Sequence, residues 1–433
     1  MRMKFNKTGQ LVLVSAASLL VASLLTACET LTVDFVFVTS SKAAGSNNYG
    51  EIDVFEVNSE SGFMRQIPTS PFPSGGRNPV AEAVSSDNSD LYVINQDDNT
   101  IVQFIIGNDG KLYPQNTVNT PGVYPMAVAV SGKSLFVADT YQPLPSCSTA
   151  APCSGSIAIY PITSSTTTPP SDVLGTPIAN GSLSYWPLNL SNSPNDIVEP
   201  TGINVLASGA YLYVTAYDVT AGTNYILGFS IGSGGALTPL NGGAPLGGGA
   251  FATGSCPSAF LNAPFMVGTC PAAIASDATN SYVYVTDQVN GEVHGYSVGS
   301  GTGLLSPLAG SPYAAGDQPS AVVVDPKYPY VYVANALDST VAAYSIGSGG
   351  GLARIGSYAT GLQPVAIGID PSTNHFLYTA NFLGNTSSGT LSGFELSTAA
   401  GTLVNSQNSP YTSNAQPTAV AAIPHNGTGA GTP

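Results

Sequence analysis

Charge is what this sequence most conspicuously lacks. Only 8% of its 433 residues are Asp, Glu, Lys or Arg, against roughly 25% in an ordinary soluble domain. The 10 basic residues face 25 acidic ones, a net charge of −15. That balance excludes nucleic acid as a partner, because phosphate binding needs clustered Lys and Arg. Long helices are excluded as well, since 48 Gly and 33 Pro punctuate the chain and both break helices. Hydrophobic residues still reach 43%, so the chain can bury a core and is not a disordered polymer.

The first 28 residues read as an address. Arg2, Lys4 and Lys7 form a positive n-region, and Leu11 to Leu25 is an apolar segment of signal-peptide length. It is short for a membrane span, which needs about 20 apolar residues. It ends in Leu25-Thr26-Ala27-Cys28, which resembles the lipobox of bacterial lipoproteins. The resemblance implies cleavage after Ala27 and a lipid on Cys28. Residues 1–27 are then a signal peptide and 28–34 a tether. The mature chain keeps seven basic and all 25 acidic residues. Glu29 is not the Asp that usually retains lipoproteins at the inner membrane, so the resemblance implies an outer-membrane address in a Gram-negative cell, with the membrane as a partner.

Four further cysteines remain, an even number in an exported chain. Their spacing favours two local disulfides, Cys147–Cys153 and Cys256–Cys270. Zinc is disfavoured, because the spacings do not suit a ribbon and His294, His375 and His425 lie far from the cysteines. No metal and no cofactor is implied.

The rest is one motif written seven times. An aromatic or apolar run ending in a small residue and often Asn or Asp recurs as Phe37-Val38-Thr39-Ser40, Tyr92-Val93-Ile94-Asn95, Phe136-Val137-Ala138-Asp139 and Tyr213-Val214-Thr215-Ala216. Tyr284-Val285-Thr286-Asp287, Tyr332-Val333-Ala334-Asn335 and Tyr378-Thr379-Ala380-Asn381 complete the set. A second alternating run follows each copy, and a proline opens each new unit: Pro79, Pro125, Pro200, Pro271, Pro319, Pro364 and Pro417. The intervals are 46, 75, 71, 48, 45 and 53 residues, a basic period near 45 with insertions. That is the length of a four-stranded propeller blade. In the sixth unit the alternation predicts strands at Ser320–Val324 (A), Tyr330–Asn335 (B), Thr340–Ile346 (C) and from Leu352 (D). The first unit lacks strand A, while Thr418–Ile423 is a strand A with nothing after it. Joining the two closes a seven-bladed, all-β ring over residues 35–423 and removes its open seam, leaving 424–433 as a tail.

The Tyr-Val-Thr/Ala-Asn/Asp copies with their intervening proline strands resemble the YVTN-type propellers. They also resemble the seven-bladed lactonase family, related to bacterial 6-phosphogluconolactonase and fungal muconate cycloisomerase. That resemblance covers nearly all the mature chain and implies the fold and, as one reading, lactone hydrolysis.

Antiparallel neighbours put A–B and C–D turns on one face of the disc and B–C and D–A loops on the other. The C–D turns are short and glycine-rich, as in Gly107–Gly110 and Gly347–Gly351. The insertions Ser40–Gly50, Tyr141–Gly155, Ser171–Glu199 and Asn241–Cys270 all fall on the loop face, where binding sites concentrate. Asn95, Asp139, Asp287, Asn335 and Asn381 end strand B on that face. They read either as turn caps or as acceptors for sugar hydroxyls at the channel mouth. Glu82 stands where other units have Val128, Ile203, Ile274, Val322, Ile367 and Val420. A carboxylate in such a slot is a candidate acid, with Arg77 as its candidate partner near the mouth. Against an enzyme stands the family histidine just after the blade proline. Here those positions are Val80, Met126, Thr201, Ala272, Ser320, Val365 and Thr418, and none does a histidine's acid–base work. The first reading is therefore a lipid-anchored envelope module that binds a protein or carbohydrate on its loop face. Lactone hydrolysis is the alternative.

Overall fold

The computed structural model describes residues 32–44, 48–143, 147, 153–164, 172–250, 252–253, 273–370, 375–385, 388–413 and 415–425. They form seven antiparallel sheets arranged as blades, each with four consecutive strands from the channel outwards. The innermost strands (A) of blades two to seven are Pro79–Val84, Val123–Ser131, Val198–Val205, Ile274–Ser276, Pro319–Val324 and Leu362–Ile369. Among the described residues the only helical pieces are two short 3₁₀ turns, Ser233–Gly235 and Leu240–Gly243. In blade six the strands are Pro319–Val324, Tyr330–Asn335, Thr340–Ile346 and Leu352–Ala359. These boundaries follow from period-2 burial cut by the Asp325–Pro329 and Gly347–Gly351 turns.

Blade one is assembled from both ends of the chain. Its outer strands are Thr32–Ala44, Tyr49–Asn58 and Met64–Gln66, and its innermost strand is Pro417–Pro424. The pairing runs from Asp34 opposite Pro424 to Ser40 opposite Pro417. Pro424 is therefore strand rather than tail. The Ser40–Gly50 stretch expected as a loop is largely a hairpin, with Ala44 opposite Tyr49; strand pairing continues past the motif because Ser40 and Glu51 still face each other across the ladder.

The core lies between blades. Phe35, Phe37 and Val54 of blade one pack against Leu91, Val93 and Phe104 of blade two, and the same layering repeats around the ring. Each fully buried Val, Leu or Phe contributes about 1.5–3 kcal/mol, so each blade depends on its neighbours for most of its stability.

Two recurring contacts bolt the blades together, one at each end. At the turn-bearing end, the motif tyrosine donates its hydroxyl to a glycine carbonyl of the next blade's C–D turn. Tyr213 reaches Gly303 O at 2.7 Å, Tyr284 reaches Gly350 O at 2.7 Å and Tyr332 reaches Gly401 O at 3.2 Å. The aromatic two residues earlier closes over the same glycine. A Cβ at Gly350 would lie 2.3 Å from Tyr282 Cδ1, and its φ is +81°. That combination of close approach and left-handed backbone admits only glycine, which explains the glycine-rich turns. At the loop-bearing end, the anchor prolines press on a glycine of the preceding blade's strand C. A Cβ at Gly155 would sit 2.4 Å from Pro200 Cδ, and Gly50–Pro79 and Gly389–Pro417 repeat the contact. Proline is tolerated there because the innermost strand is an edge with no further ladder to donate to.

The closing seam departs from this pattern. Tyr378 donates to Asp34 Oδ2 at 2.9 Å instead of a turn carbonyl. Asp34 of blade one is fully buried and interacts with the Asp370 carboxyl of blade seven. Burial first, then the Asp370 charge, push its pKa from 3.8 up to about 8.

Candidate functional site

The Asn and Asp residues that end strand B are at most 1% exposed. Asn335 Oδ1 accepts from Gly316 N at 3.0 Å, and its Nδ2 donates to Thr340 Oγ1 at 3.2 Å. Asn95 accepts from Ser74 Oγ at 3.0 Å, and Asn381 donates to Ser392 Oγ at 2.9 Å. Asp139 accepts from Gly122 N at 3.2 Å, and burial lifts its pKa to about 8. Asp287 Oδ1 accepts from the Val289 and Asn290 amides, both at 3.0 Å. These five are structural caps. The expectation that they ring the channel mouth as acceptors is corrected, because strand B lies one strand out from the axis and its last side chain turns into the adjoining loops.

Arg77 and Glu82 do not pair. The Arg77 guanidinium lies 2.5 Å from Asp98 at the exposed rim, and its backbone amide donates to the same carboxylate at 2.7 Å. Glu82 is on the innermost strand of blade two, paired with Val93, and its two carboxyl oxygens are shut off from solvent without a hydrogen bond of good geometry. Burial drives its pKa well up, only partly offset by the Ala421 backbone. Burial thus favours the protonated form of Glu82, wedged between blades one and two, and the expected Arg77 partnership is corrected.

A recurrent polar position at the loop-bearing end was missed in the sequence. It is the one immediately before each anchor proline: Asn78, Tyr124, Glu199, Gln318, Gln363 and Gln416 among the described residues. Every one is polar, a regularity that the repeat alignment contains. Asn78, Tyr124, Gln318 and Gln363 hold φ between +52° and +56°, a costly backbone for a non-glycine residue that precedes the register shift at each anchor proline. Gln318 is 3% exposed, yet neither its Oε1 nor its Nε2 has a partner. Asn78 Nδ2 donates to Gln96 Oε1 and Asp97 Oδ1, both at 3.2 Å.

Blades three and four supply the chemistry. Here strand A of blade four starts earlier, with Glu199 opposite Tyr217. Glu199 is 4% exposed. Burial raises its pKa from 4.5 to about 7, with a hydrogen bond to Tyr141 working the other way. The Tyr141 hydroxyl is pushed up to about 12 by burial and by the Glu199 charge. Tyr124 meets Tyr141 edge-on at 6.1 Å between centroids. Glu199, Tyr141 and Tyr124 thus meet at the loop-bearing end of blades three and four. The arrangement suits a small polyhydroxylated ligand, with the carboxyl able to move a proton near neutral pH.

Other features are structural. Cys147 and Cys153 form a disulfide with Cα atoms 5.5 Å apart, stapling the B–C loop of blade three. Cys28, Cys256 and Cys270 lie outside the described residues. Two groups bring three potential ligand atoms within 4.8 Å, Asp287–Glu292–His294 and Asp87–Asp90–Asp172. In the first, Asp287 already accepts from Asn290 and contacts His294 at 3.3 Å. In the second, Lys133 neutralises Asp172 at 2.6 Å. A surface cleft of about 550 Å³ lies far from the mouth, at the turn-bearing end between blades one and seven, where Thr32, Phe63 and Gln407 line it. In it Arg65 is paired with Glu56, and the Glu199–Tyr141 pair at the loop-bearing end is the better candidate.

Seven blades and closure by a C-terminal strand define a β-propeller. The model of the family described as lactonase, 7-bladed beta-propeller, matches residues 35–177 and 268–421, and the chain belongs to that family. No curated protein matches it in sequence. Among solved structures it is similar to a putative 6-phosphogluconolactonase from Bacteroides fragilis, with 18% identity, 91% of this chain and 99% of that chain covered, and a TM-score of 0.62. It is likewise similar to the periplasmic gluconolactonase PpgL from Pseudomonas aeruginosa, with 17% identity, 90% and 99% coverage, and a TM-score of 0.62. At these identities the likeness is one of fold.

Proposed function

We propose that this protein is an exported, lipid-anchored hydrolase of neutral sugar lactones, working at the channel mouth with Glu199 as its acid–base group. The single observation that carries the reading is the Glu199 carboxyl, poised at a pKa of about 7 and held by Tyr141. In the ionised form it takes a proton from water as the water oxygen attacks the ring carbonyl carbon. The ring C–O bond then breaks, and the carboxyl returns the proton to the departing alkoxide, leaving an open hydroxy acid. Tyr141 holds the carboxyl in place, while Gln318, Gln363 and Asn78 offer amides to sugar hydroxyls. This acid–base role replaces the post-proline histidine that the chain lacks. A sugar phosphate fits poorly, because the mature chain has seven basic residues and Arg77 is occupied by Asp98. The names of the gluconolactonase and 6-phosphogluconolactonase neighbours support a lactone, and the periplasmic one accords with export.

The test is Glu199→Gln, which keeps the shape and removes the proton transfer. The expected result is a fall in kcat/KM for gluconolactone opening of about 100-fold or more, with the melting temperature retained. Unchanged turnover would refute the assignment. The disulfide-stapled loop of blade three favours a second reading, an envelope binding or scaffold module without turnover. An inactive protein that retains an envelope protein or carbohydrate partner, and loses it on deletion of the loop between Tyr141 and Gly155, would establish that reading.

A further inference from the structure

We propose that the turn-bearing face of the propeller lies against the membrane, so that the channel mouth opens away from it. The proposal rests on a lipid at Cys28 and is independent of the reaction at the mouth. Strand B of blade one enters at the turn-bearing end, where Thr32 pairs with Asn58 at the start of a C–D turn and Asp34 pairs with Pro424. The other end of the ring finishes beside it, with His425 N donating to Val33 O at 2.7 Å. Cys28 is four residues from Thr32, and an extended chain covers at most roughly 14 Å in that length. The headgroup layer takes up about 5–8 Å of this reach, leaving less than the length of one blade strand, about 20 Å for six residues. The loop-bearing face is one strand length farther from the anchor, so the tether cannot bring it to the bilayer. The turn face also suits the contact. Its C–D turns at Gly107–Gly110, Gly299–Gly303 and Gly347–Gly351 are short and similar in length. Lys111 and Lys133 on this face are already paired with Asp109 and Asp172, so the contact rests on the tether length rather than on charge. Lactone then reaches the mouth from the aqueous side, past Arg77, Asp98 and the stapled loop.

The experiment is hydrogen–deuterium exchange on the purified lipoprotein in vesicles of phosphatidylethanolamine and phosphatidylglycerol. The reference is the same chain starting at Glu29 in solution. Exchange in the turns at 107–111, 299–304 and 347–351 should slow by about threefold or more on vesicles, while 96–99 and 336–339 on the loop face should be unchanged. Slowing on the loop face, slowing confined to the outer strands of blade one, or no change anywhere would overturn the proposal. An N-terminal mass without lipid would overturn it too, leaving the assignment of Glu199 untouched.

Discussion

The two faces of this disc are built by different rules. At the turn-bearing end one contact repeats through blades four to six, a tyrosine hydroxyl on a glycine carbonyl with a second aromatic closing over it. At the loop-bearing end the anchor proline recurs, but what surrounds it changes, from Asn78 and Tyr124 to Glu199 and Gln318. The turn end can reuse one contact because it has only to hold neighbours together. The loop end holds strained pre-proline residues, an orphaned Gln318 amide and a carboxyl with a pKa near neutrality. The turn end thus holds blades together, while the loop end carries the carboxyl on which the proposed chemistry rests.

The most drastic way to break that division is to remove the strand that closes the ring. Deleting Pro417–Pro424 exposes the inner edge of Thr32–Ala44 and strips the core between blades one and seven. The loss should exceed about 5 kcal/mol and abolish cooperative unfolding. A truncated chain that melts like the intact one would show that the seam carries no weight. Next in size is Gly350→Ala. The new methyl group meets the Tyr282 ring in a left-handed backbone, and a cost of about 2–4 kcal/mol is expected in denaturant titration. The same change at Gly234, which has open space around it, should cost less.

Acidity sharpens the comparison at the seam. Native Asp34 and Asp139 hold protons up to a pKa of about 8, whereas the unfolded chain releases them at 3.8. Between those values the native state binds more protons, so stability falls as pH rises from about 4 to 8 and levels off above. The melting temperature should drop between pH 5 and pH 8, and Asp34→Asn should flatten the slope, by on the order of 3 °C across that range. A melting temperature that rises over this range, or an unchanged slope in the variant, would remove the seam carboxyl from the account. The smallest effect is expected at Glu82. With Arg77 engaged by Asp98 at the rim, Glu82→Val removes a buried carboxyl compensated only by the Ala421 backbone and strands no charge. Stability should rise by about 1 kcal/mol; a loss of that size would mean that the carboxyl has a further partner.

Much of the ring was legible from the sequence because its contacts are local and repeated. Period-2 runs, anchor prolines and glycine turns predicted strands B and C of blade six to the residue, and the missing strand A of blade one predicted the closure. The site was harder to read. Whether Asn335 caps a turn or faces a channel depends on how far strand B lies from the axis, which no spacing reveals. Glu82 drew attention as a carboxyl in an apolar slot, and it is one, but Arg77 found a nearer acid in Asp98. Glu199 was hidden by the long insertions of blades three and four, which separate it from Tyr141 by 58 positions. Its signal was positional: every described residue before an anchor proline is polar.

The central claim, that Glu199 at the mouth carries acid–base chemistry, is tested most directly by the pH dependence of gluconolactone opening, corrected for spontaneous hydrolysis. The account predicts that kcat/KM rises with pH through an apparent pKa near 7, as Glu199 becomes the ionised base, and that this ascending limb vanishes in Glu199→Gln. A profile with no inflection near 7, or one that Glu199→Gln leaves in place, would contradict it.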